Sequence, residues 1–288
     1  MRQRRQTEAV ELPDDAMLVV LAKLSEDLKK AARELTASQA RYTVDVYYQV
    51  QQFRIESANQ LRMAEAGAEP TDFLRWIAAL MRRLEGTIKG ALDEYTDTTV
   101  PSRWAKSITG IGPVIAAGLA AHIDIRRAET AGALWRFAGL DPTVKWEKKE
   151  KRPWNAALKT LTWKIGESFV KTQNLDGDVY GKVYAERKQV EIARNEAGTF
   201  AETAARILTE KTFRRDTTAK TAYTAGRLPD GHIHARAKRY AVKLFLSHYH
   251  HVAYESEFGR VPPKPYVIEH GGHTHFLAPP NWPMSVEG

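Results

Sequence analysis

The chain has 288 residues, of which 43% are hydrophobic and 27% are charged, and this ordinary globular composition excludes wholesale disorder. Lysine and arginine number 43 against 35 acidic residues, a net charge of +8 with an isoelectric point of about 9.5. Such an excess favours a polyanionic partner, nucleic acid first. There is no cysteine, which excludes disulfides and cysteine-ligated zinc.

The sequence indicates neither export nor membrane insertion. The opening residues, MRQRRQTEAVELPDD, are basic, but the apolar core that a secretory signal requires does not follow them. The longest run of small apolar residues, VIAAGLAA at 114–121, is far shorter than a membrane span. We therefore expect a soluble cytoplasmic protein with no membrane contact.

A long helix is predicted near the start of the chain. Residues 14–66 contain neither glycine nor proline. An apolar stripe at three- and four-residue spacing runs from Leu24 through Leu28 and Leu35 to Phe53. This periodicity predicts one helix of about 50 residues, which is too long to be stable without a partner.

A second helix is expected to fold back on the first. Gly67 and Pro70 stop the first helix, and the apolar residues after Thr71 recur at helical spacing as far as Tyr95. The two helices predict an antiparallel, coiled-coil-like arm over residues 1–100.

This arm is expected to have a structural, dimerising role rather than a catalytic one. Leu24, Leu28 and Leu35 form an apolar seam that the second helix covers only in part. The sequence therefore predicts a homodimer that forms through the arm.

Several short helices are predicted after Pro101. Residues 104–108 and 113–123 are expected to be helical, with a turn at 110–112 between them. Pro113 occupies the first helical position, where its missing N–H costs nothing. Further helices are predicted at the following positions: 131–137, ended by Gly139; 154–173; around 183–193 and 200–208; and a long one between Gly231 and Gly259.

The predicted fold class is all-α, because no segment alternates apolar and polar residues with a period of two. The predicted architecture is a long antiparallel helical arm (1–100), a helix-hairpin-helix domain (101–175) and a helical C-terminal region with an extended tail (176–288). The tail, residues 260–288, is rich in proline, glycine and histidine.

The stretch SITGIGPVIAAGLAAHI at 107–123 fits a helix-hairpin-helix. In that motif two glycines flank an apolar residue, which permits a sharp turn and keeps Cβ atoms away from a ligand. The free amides of the second helix then face a phosphate, a contact that carries no base specificity. The candidate DNA-binding residues of this turn are Thr109, Gly110, Ile111, Gly112 and Val114. The alternative is an ordinary turn between two packed helices.

The motifs ITGIGPVIAAGLAAHIDI and ALWRFAGLDP, within residues 108–142, resemble the C-terminal domain of the insertion sequence 110/116/902 transposase family. The shared pattern is a Gly-Ile-Gly-Pro turn, an alanine-rich helix and then Gly-Leu-x-Pro. TAGALWRFAGL resembles the degenerate second hairpin that often accompanies the first, and GHIHARAKRYAVKLFLSH is similar to a segment of short bacterial proteins that carry this domain. The resemblance implies DNA binding by a transposase-like protein.

The family's catalytic residues have no evident counterparts in this sequence. Members carry an N-terminal RNase H-like domain with four metal-binding carboxylates, whereas here the long helix comes first. They also carry a nucleophilic serine shortly after Gly-Leu-x-Pro, but no serine occurs between Ser107 and Ser168. Thr143 is a lone hydroxyl in the matching stretch, and the sequence offers no evident base to activate it. We therefore expect a DNA-binding relative without a complete catalytic site, and lean towards no enzymatic activity.

A basic, tryptophan-containing segment follows the second hairpin. Its candidate DNA-binding residues are Lys145, Lys148, Lys149, Lys151 and Arg152, with Lys159 from the next helix. Lysine and arginine neutralise phosphates, and the interleaved Trp146 and Trp154 can stack on bases or anchor the segment. The expected partner is DNA, with RNA as an alternative. A solvated surface loop is the competing interpretation.

Eight of the nine histidines lie between residues 232 and 275. Three of them are the candidate metal ligands: His270, His273 and His275. A divalent metal held there defines an alternative function, a metal-dependent nuclease or recombinase, although the spacing matches no tight motif. We otherwise expect no cofactor. A structural helical protein with no nucleic-acid role is a third hypothesis.

Overall fold

The computed structural model describes residues 24–67, 71–147, 149–213, 215–263 and 277–284. Over these ranges the regular structure is entirely helical and contains no strand, so the predicted all-α class is confirmed. None of the helices in the described ranges is both long and apolar enough to cross a membrane. The chain divides into two compact units. The arm unit comprises the residues up to Thr99 together with Ala116–His122, and the body unit comprises Val100–Ile115 together with the residues from Ile123 onward.

Three helices build the arm unit: α1 (Glu26–Arg33), α2 (Ala37–Ala66) and α3 (Asp72–Thr96). Ion pairs at both ends of α3 define the direction of packing. Arg33 at the end of α1 donates to Glu94 at 2.8 Å, and Glu65 at the end of α2 pairs with Arg75 at 3.0 Å. Helix α3 therefore runs antiparallel to α2, as predicted.

The first helix is not continuous over the described residues, and the prediction of one long helix is wrong there. The chain leaves helical geometry between α1 and α2, and Thr36 caps α2. The Gln39 amide donates to the Thr36 hydroxyl at 3.3 Å, and the Thr36 amide donates to the Gln39 side chain at 2.9 Å. This reciprocal capping box starts a new helix, because it satisfies amides that a continuing helix would bond to earlier carbonyls.

The inner face of the arm unit combines small apolar residues with one polar cluster. Val44 and Leu92 are buried. The Tyr47 hydroxyl donates to Glu85 at 3.1 Å, and Arg54 forms an ion pair with the same carboxylate. Large apolar side chains also remain exposed on this unit: Leu28, Tyr42, Phe53, Ile55, Met63, Phe73 and Leu84.

The remaining helices belong to the body unit, except for most of α5. They are α4 (Val100–Lys106), α5 (Pro113–His122), a 3-10 turn (Ile125–Arg127), α6 (Ala131–Phe137), α7 (Ala156–Thr172), α8 (Val179–Glu196), α9 (Ala201–Glu210), α10 (Thr218–Thr224) and α11 (Asp230–Phe258). Helix α5 begins in the body unit, and its residues Ala116–His122 belong to the arm unit. Helix α11 ends at Gly259, the boundary that the sequence predicts, and a φ of 64° gives this residue a left-handed cap conformation.

Aromatic side chains form the centre of the body unit. Phe245 of α11 lies 5.7 Å from the ring of Trp104, 5.6 Å from Phe169 and 5.3 Å from Tyr180. All four side chains are completely buried. Helix α11 is thus the common packing partner of α4, α7 and α8, and it fixes the elements that carry the candidate site. A smaller core lies around Phe200, Tyr223 and Leu228.

Candidate nucleic-acid interface

The Gly-Ile-Gly turn joins α4 to α5 as predicted. Gly110 has a φ of 89°, a left-handed conformation that side chains rarely adopt. The Ile111 amide donates to the Ile108 carbonyl at 2.9 Å, which closes the turn. Ile111 itself is buried, so it fills the core between the two glycines.

Helix α7 holds the first half of this turn. The Ser168 hydroxyl donates to the Gly110 carbonyl at 2.5 Å. A Cβ on Gly110 would lie 3.1 Å from the hydroxyl oxygens of both Ser168 and Thr172, closer than most real Cβ contacts. Gly110 is therefore required both by its backbone conformation and by its close approach to α7.

Gly112 has a different environment. It is exposed, and a Cβ built there would meet no atom within 4 Å. It precedes the first turn of α5, whose amides have no acceptor within the helix. Pro113 has no amide, so the backbone donors of this turn come from Val114 and Ile115. Val114 as a whole is buried, whereas Ile115 is half-buried.

The second helical pair is joined by a long loop rather than by a tight turn. Helix α6 begins at the Thr130 cap, whose hydroxyl accepts from the Ala133 amide at 3.2 Å. After α6 the chain turns at Gly139, with a φ of 67°. It then passes through the basic segment before Asn155 caps α7.

Gly139 allows this loop to lie against the start of α7. A Cβ there would stand 2.8 Å from Lys159 Cδ and 3.0 Å from the indole of Trp154. Gly110 and Gly139 thus pack on the same helix, at Ser168 and Lys159. These two α7 positions lie about 14 Å apart along the helix axis, given its rise per residue.

The basic segment is exposed where it is described. Lys145, Lys149, Lys151 and Arg152 are exposed, and Lys148 lies outside the described residues. The Trp146 indole donates to the Glu150 carbonyl at 2.9 Å, and the Arg152 guanidinium lies 5.2 Å from its ring centroid. Trp146 therefore anchors the loop internally.

Lys159 connects the basic segment to α7. Its ammonium lies 3.8 Å from the ring centroid of Trp154, a cation–π contact. Partial burial lowers the pKa of Lys159, and the nearby charges of Arg239 and Arg152 lower it further. Arg239 of α11 is thus a neighbour of this site that the sequence prediction did not include. Its signal is the basic run HARAKR at 234–239, to which the sequence prediction assigns no DNA contact.

The predicted metal ligands His270, His273 and His275 lie outside the described residues. Within the described part of the chain, no group of three or more histidine, aspartate and glutamate side chains is placed to hold a metal ion. Two histidines of α11 have structural contacts instead. His248 bonds to the Tyr180 hydroxyl at 2.7 Å and to the Leu277 carbonyl at 2.8 Å, and His250 donates to the Ala128 carbonyl at 2.7 Å.

Comparison with known proteins identifies this region. The model of the transposase IS116/IS110/IS902 family matches residues 102–152, which run from α4 through the Gly-Ile-Gly turn, α5 and α6 to the basic segment. The resemblance inferred from the Gly-Ile-Gly-Pro turn is thus confirmed for this segment. The match supports a transposase-related role and implies interaction with DNA. No curated protein and no solved structure matches the chain.

Proposed function

We propose that this protein is a transposase-like DNA-binding protein that grips the phosphate backbone through the Gly-Ile-Gly turn. Gly112 carries the proposal. It is exposed and borders open space on its Cβ side, whereas Ile111 is buried and Gly110 is packed on α7. A turn that served helix packing alone would not need a glycine at the open position. A glycine there lets a phosphate approach the amides of Val114 and Ile115.

The basic segment supports the same assignment. Lys145, Lys149, Lys151 and Arg152 provide exposed positive charge in the loop between α6 and α7. Such charges bind phosphates without reading sequence and release counterions. Together with a backbone-binding turn they predict affinity for DNA of unrelated sequences.

The environment of Thr143 supports the view that the catalytic site is incomplete. The Thr143 hydroxyl donates to Asp141 at 2.7 Å, and the Thr143 amide donates to the same oxygen at 2.9 Å. These two hydrogen bonds lower the pKa of Asp141. A carboxylate with a lowered pKa is a weak general base, so it is poorly suited to activate the hydroxyl for strand cleavage.

The arm unit is proposed to form a homodimer. It exposes several large apolar side chains, among them Tyr42, Phe53 and Met63, with 71%, 58% and 71% of their surface accessible. Apolar groups concentrated on one unit mark a protein–protein contact. A second copy of the same arm would cover them and would bring two DNA-binding turns into one particle.

The test is a binding series with duplex, branched and single-stranded DNA at two salt concentrations. We expect affinity for unrelated sequences that falls as salt rises. Lys151→Ala should lower the salt slope by about one, because it removes one phosphate contact. Lys182→Ala removes an exposed charge from α8 and should leave the slope unchanged. Binding that does not depend on salt, or that is absent, would reject the proposal.

A further inference from the structure

A cleft of about 440 Å³ opens between the loop after α6, the middle of α7 and the early turns of α11. Residues of all three elements line it, including Asp141, Trp163 and Arg239. The volume lies within the range of clefts that hold small ligands. All of its lining belongs to the body unit.

The cleft is positively charged. Lys159, Lys238 and Arg239 line it, and Lys238 forms an ion pair with Glu167. The carboxylate of Asp141 in the lining already accepts two hydrogen bonds from Thr143. Over the described ranges, neither Lys159 nor Arg239 forms an ion pair with a carboxylate.

The two unpaired cations are close enough to repel each other. The positive charge of Arg239 contributes to lowering the pKa of Lys159, after partial burial. Partial burial and the charge of Arg236 likewise lower the pKa of Arg239. Like charges in a partly desolvated cleft destabilise one another, and a bound anion relieves that repulsion.

An exposed tryptophan stands beside these cations. Trp163 of α7 lines the cleft and has 59% of its surface accessible. Trp154, by contrast, has Lys159 over its ring at 3.8 Å. The ammonium of Lys238 lies farther from the Trp163 ring, 5.9 Å from its centroid, and Trp163 is the more exposed of the two indoles. Exposed aromatic rings beside cations are the usual means of holding an unpaired base.

We propose that this cleft binds one unpaired nucleotide of a DNA strand, with its phosphate between Lys159 and Arg239 and its base stacked on Trp163. The inference rests on the proposed function, because the loop that forms one wall of the cleft continues into the basic segment. The backbone contact of the Gly-Ile-Gly turn does not distinguish one DNA structure from another. The cleft would add this discrimination. The protein then favours DNA with an extruded or unpaired nucleotide over perfectly paired duplex.

The test uses three labelled probes that differ at one position: a paired duplex, the same duplex with one bulged thymidine, and the same duplex with an abasic bulge. We expect the bulged thymidine to bind about tenfold more tightly than the paired duplex, the magnitude of one base–aromatic stack. The abasic bulge should lose this gain. Trp163→Ala should abolish the preference while leaving paired-duplex affinity within about twofold. Arg239→Gln should also abolish the preference, and it should weaken binding to all three probes because it removes a positive charge.

Phe258→Ala is the matched control, since it removes an aromatic side chain with 41% of its surface accessible at the far end of α11, and it should keep the preference. Equal affinity for the three probes, or a preference that survives Trp163→Ala, would overturn the inference. Binding of free thymidine monophosphate without any bulge preference would also overturn it, because the ligand would then not be part of a strand. Loss of salt-dependent binding to every probe would instead reject the proposed function, so the two failures are distinguishable.

Discussion

At the scale of single residues, Gly110 and Gly112 of the first hairpin have different structural roles. Gly110 is required by the fold, because its left-handed backbone and its contacts with Ser168 and Thr172 leave no room for a side chain. Gly112 has neither constraint. Its backbone is not left-handed, and it precedes a proline, a position that favours extended conformations open to any residue. The proposed phosphate contact would account for a glycine at position 112.

His248 shows how a buried histidine stabilises the body unit in its neutral form. It is 5% exposed, and burial lowers its pKa from 6.5 to about 4, against a smaller opposing effect of its hydrogen bond to Leu277. Between these two values the unfolded chain binds a proton that the folded chain does not. Stability is therefore lost as the pH falls from 6.5 towards 4, and is unaffected by this group above 6.5.

We predict that His248→Gln makes the stability of the protein less dependent on pH. The wild-type protein should lose roughly 3 kcal/mol between pH 7 and pH 4 through this group, and the variant, which does not titrate, should not. Urea unfolding of both proteins at several pH values measures the difference. The two curves should run parallel between pH 7 and 8. Curves that also stay parallel down to pH 4 would contradict the assignment.

The residues of the turn were predictable, whereas their neighbours were not. The pattern Gly-Ile-Gly-Pro indicated a sharp turn with a buried centre, and Ile111 is buried. The hydrogen bond from Ser168 to Gly110 and the contact of Lys159 with Trp154 depend on tertiary packing. Local periodicity contains no information about which face of α7 meets the turn.

At the scale of elements, the break between α1 and α2 is the main departure from the sequence prediction. Apolar spacing alone favoured one helix through this point. The competing signal was the capping sequence Thr36-Ala-Ser-Gln39, whose side chains start a helix. A search for capping boxes would have found it, because the signal is local. The helices at 131–137 and 230–258, by contrast, have clear stop residues, and the prediction placed them within about one residue of their ends.

We predict that Thr36→Ala destabilises the arm unit by about 1 kcal/mol, the usual cost of losing a cap. Ser38→Ala is the matched control, because Ser38 is an exposed hydroxyl residue in the first turn of the same helix. Thermal unfolding followed by circular dichroism compares the three proteins. Equal melting of Thr36→Ala and Ser38→Ala would show that the capping box does not define the start of α2.

At the scale of the whole molecule, the exposed apolar surface of the arm unit is the basis of the proposed homodimer. Tyr42 and Phe53 lie on the same face of α2, about three turns apart, and both are well exposed. Leu28 of the predicted seam is also exposed, whereas Leu35 is half-buried. The surface best suited to a second copy therefore extends further along α2 than the leucine seam.

We predict that the double variant Tyr42→Glu, Phe53→Glu is a monomer and that the wild-type protein is a dimer. The substitutions place charges in the apolar contact without touching buried residues, so folding should be retained. Analytical ultracentrifugation at several concentrations measures the mass. Identical masses for the two proteins would exclude a dimer through this face.

The central claim concerns the whole molecule bound to DNA: backbone amides at the start of α5 contact a phosphate. The most direct measurement is the affinity of Gly112→Val for two duplexes of unrelated sequence, with Gly231→Val as control. Both substitutions add a branched side chain at an exposed glycine with no atom within 4 Å of the new Cβ, so both proteins should melt like the wild type. We predict that Gly112→Val loses about tenfold or more in affinity on both duplexes, the magnitude of one lost charge-assisted hydrogen bond. Gly231→Val should bind like the wild type. A folded Gly112→Val protein with unchanged affinity on both duplexes would contradict the claim and leave the turn as a connection between helices.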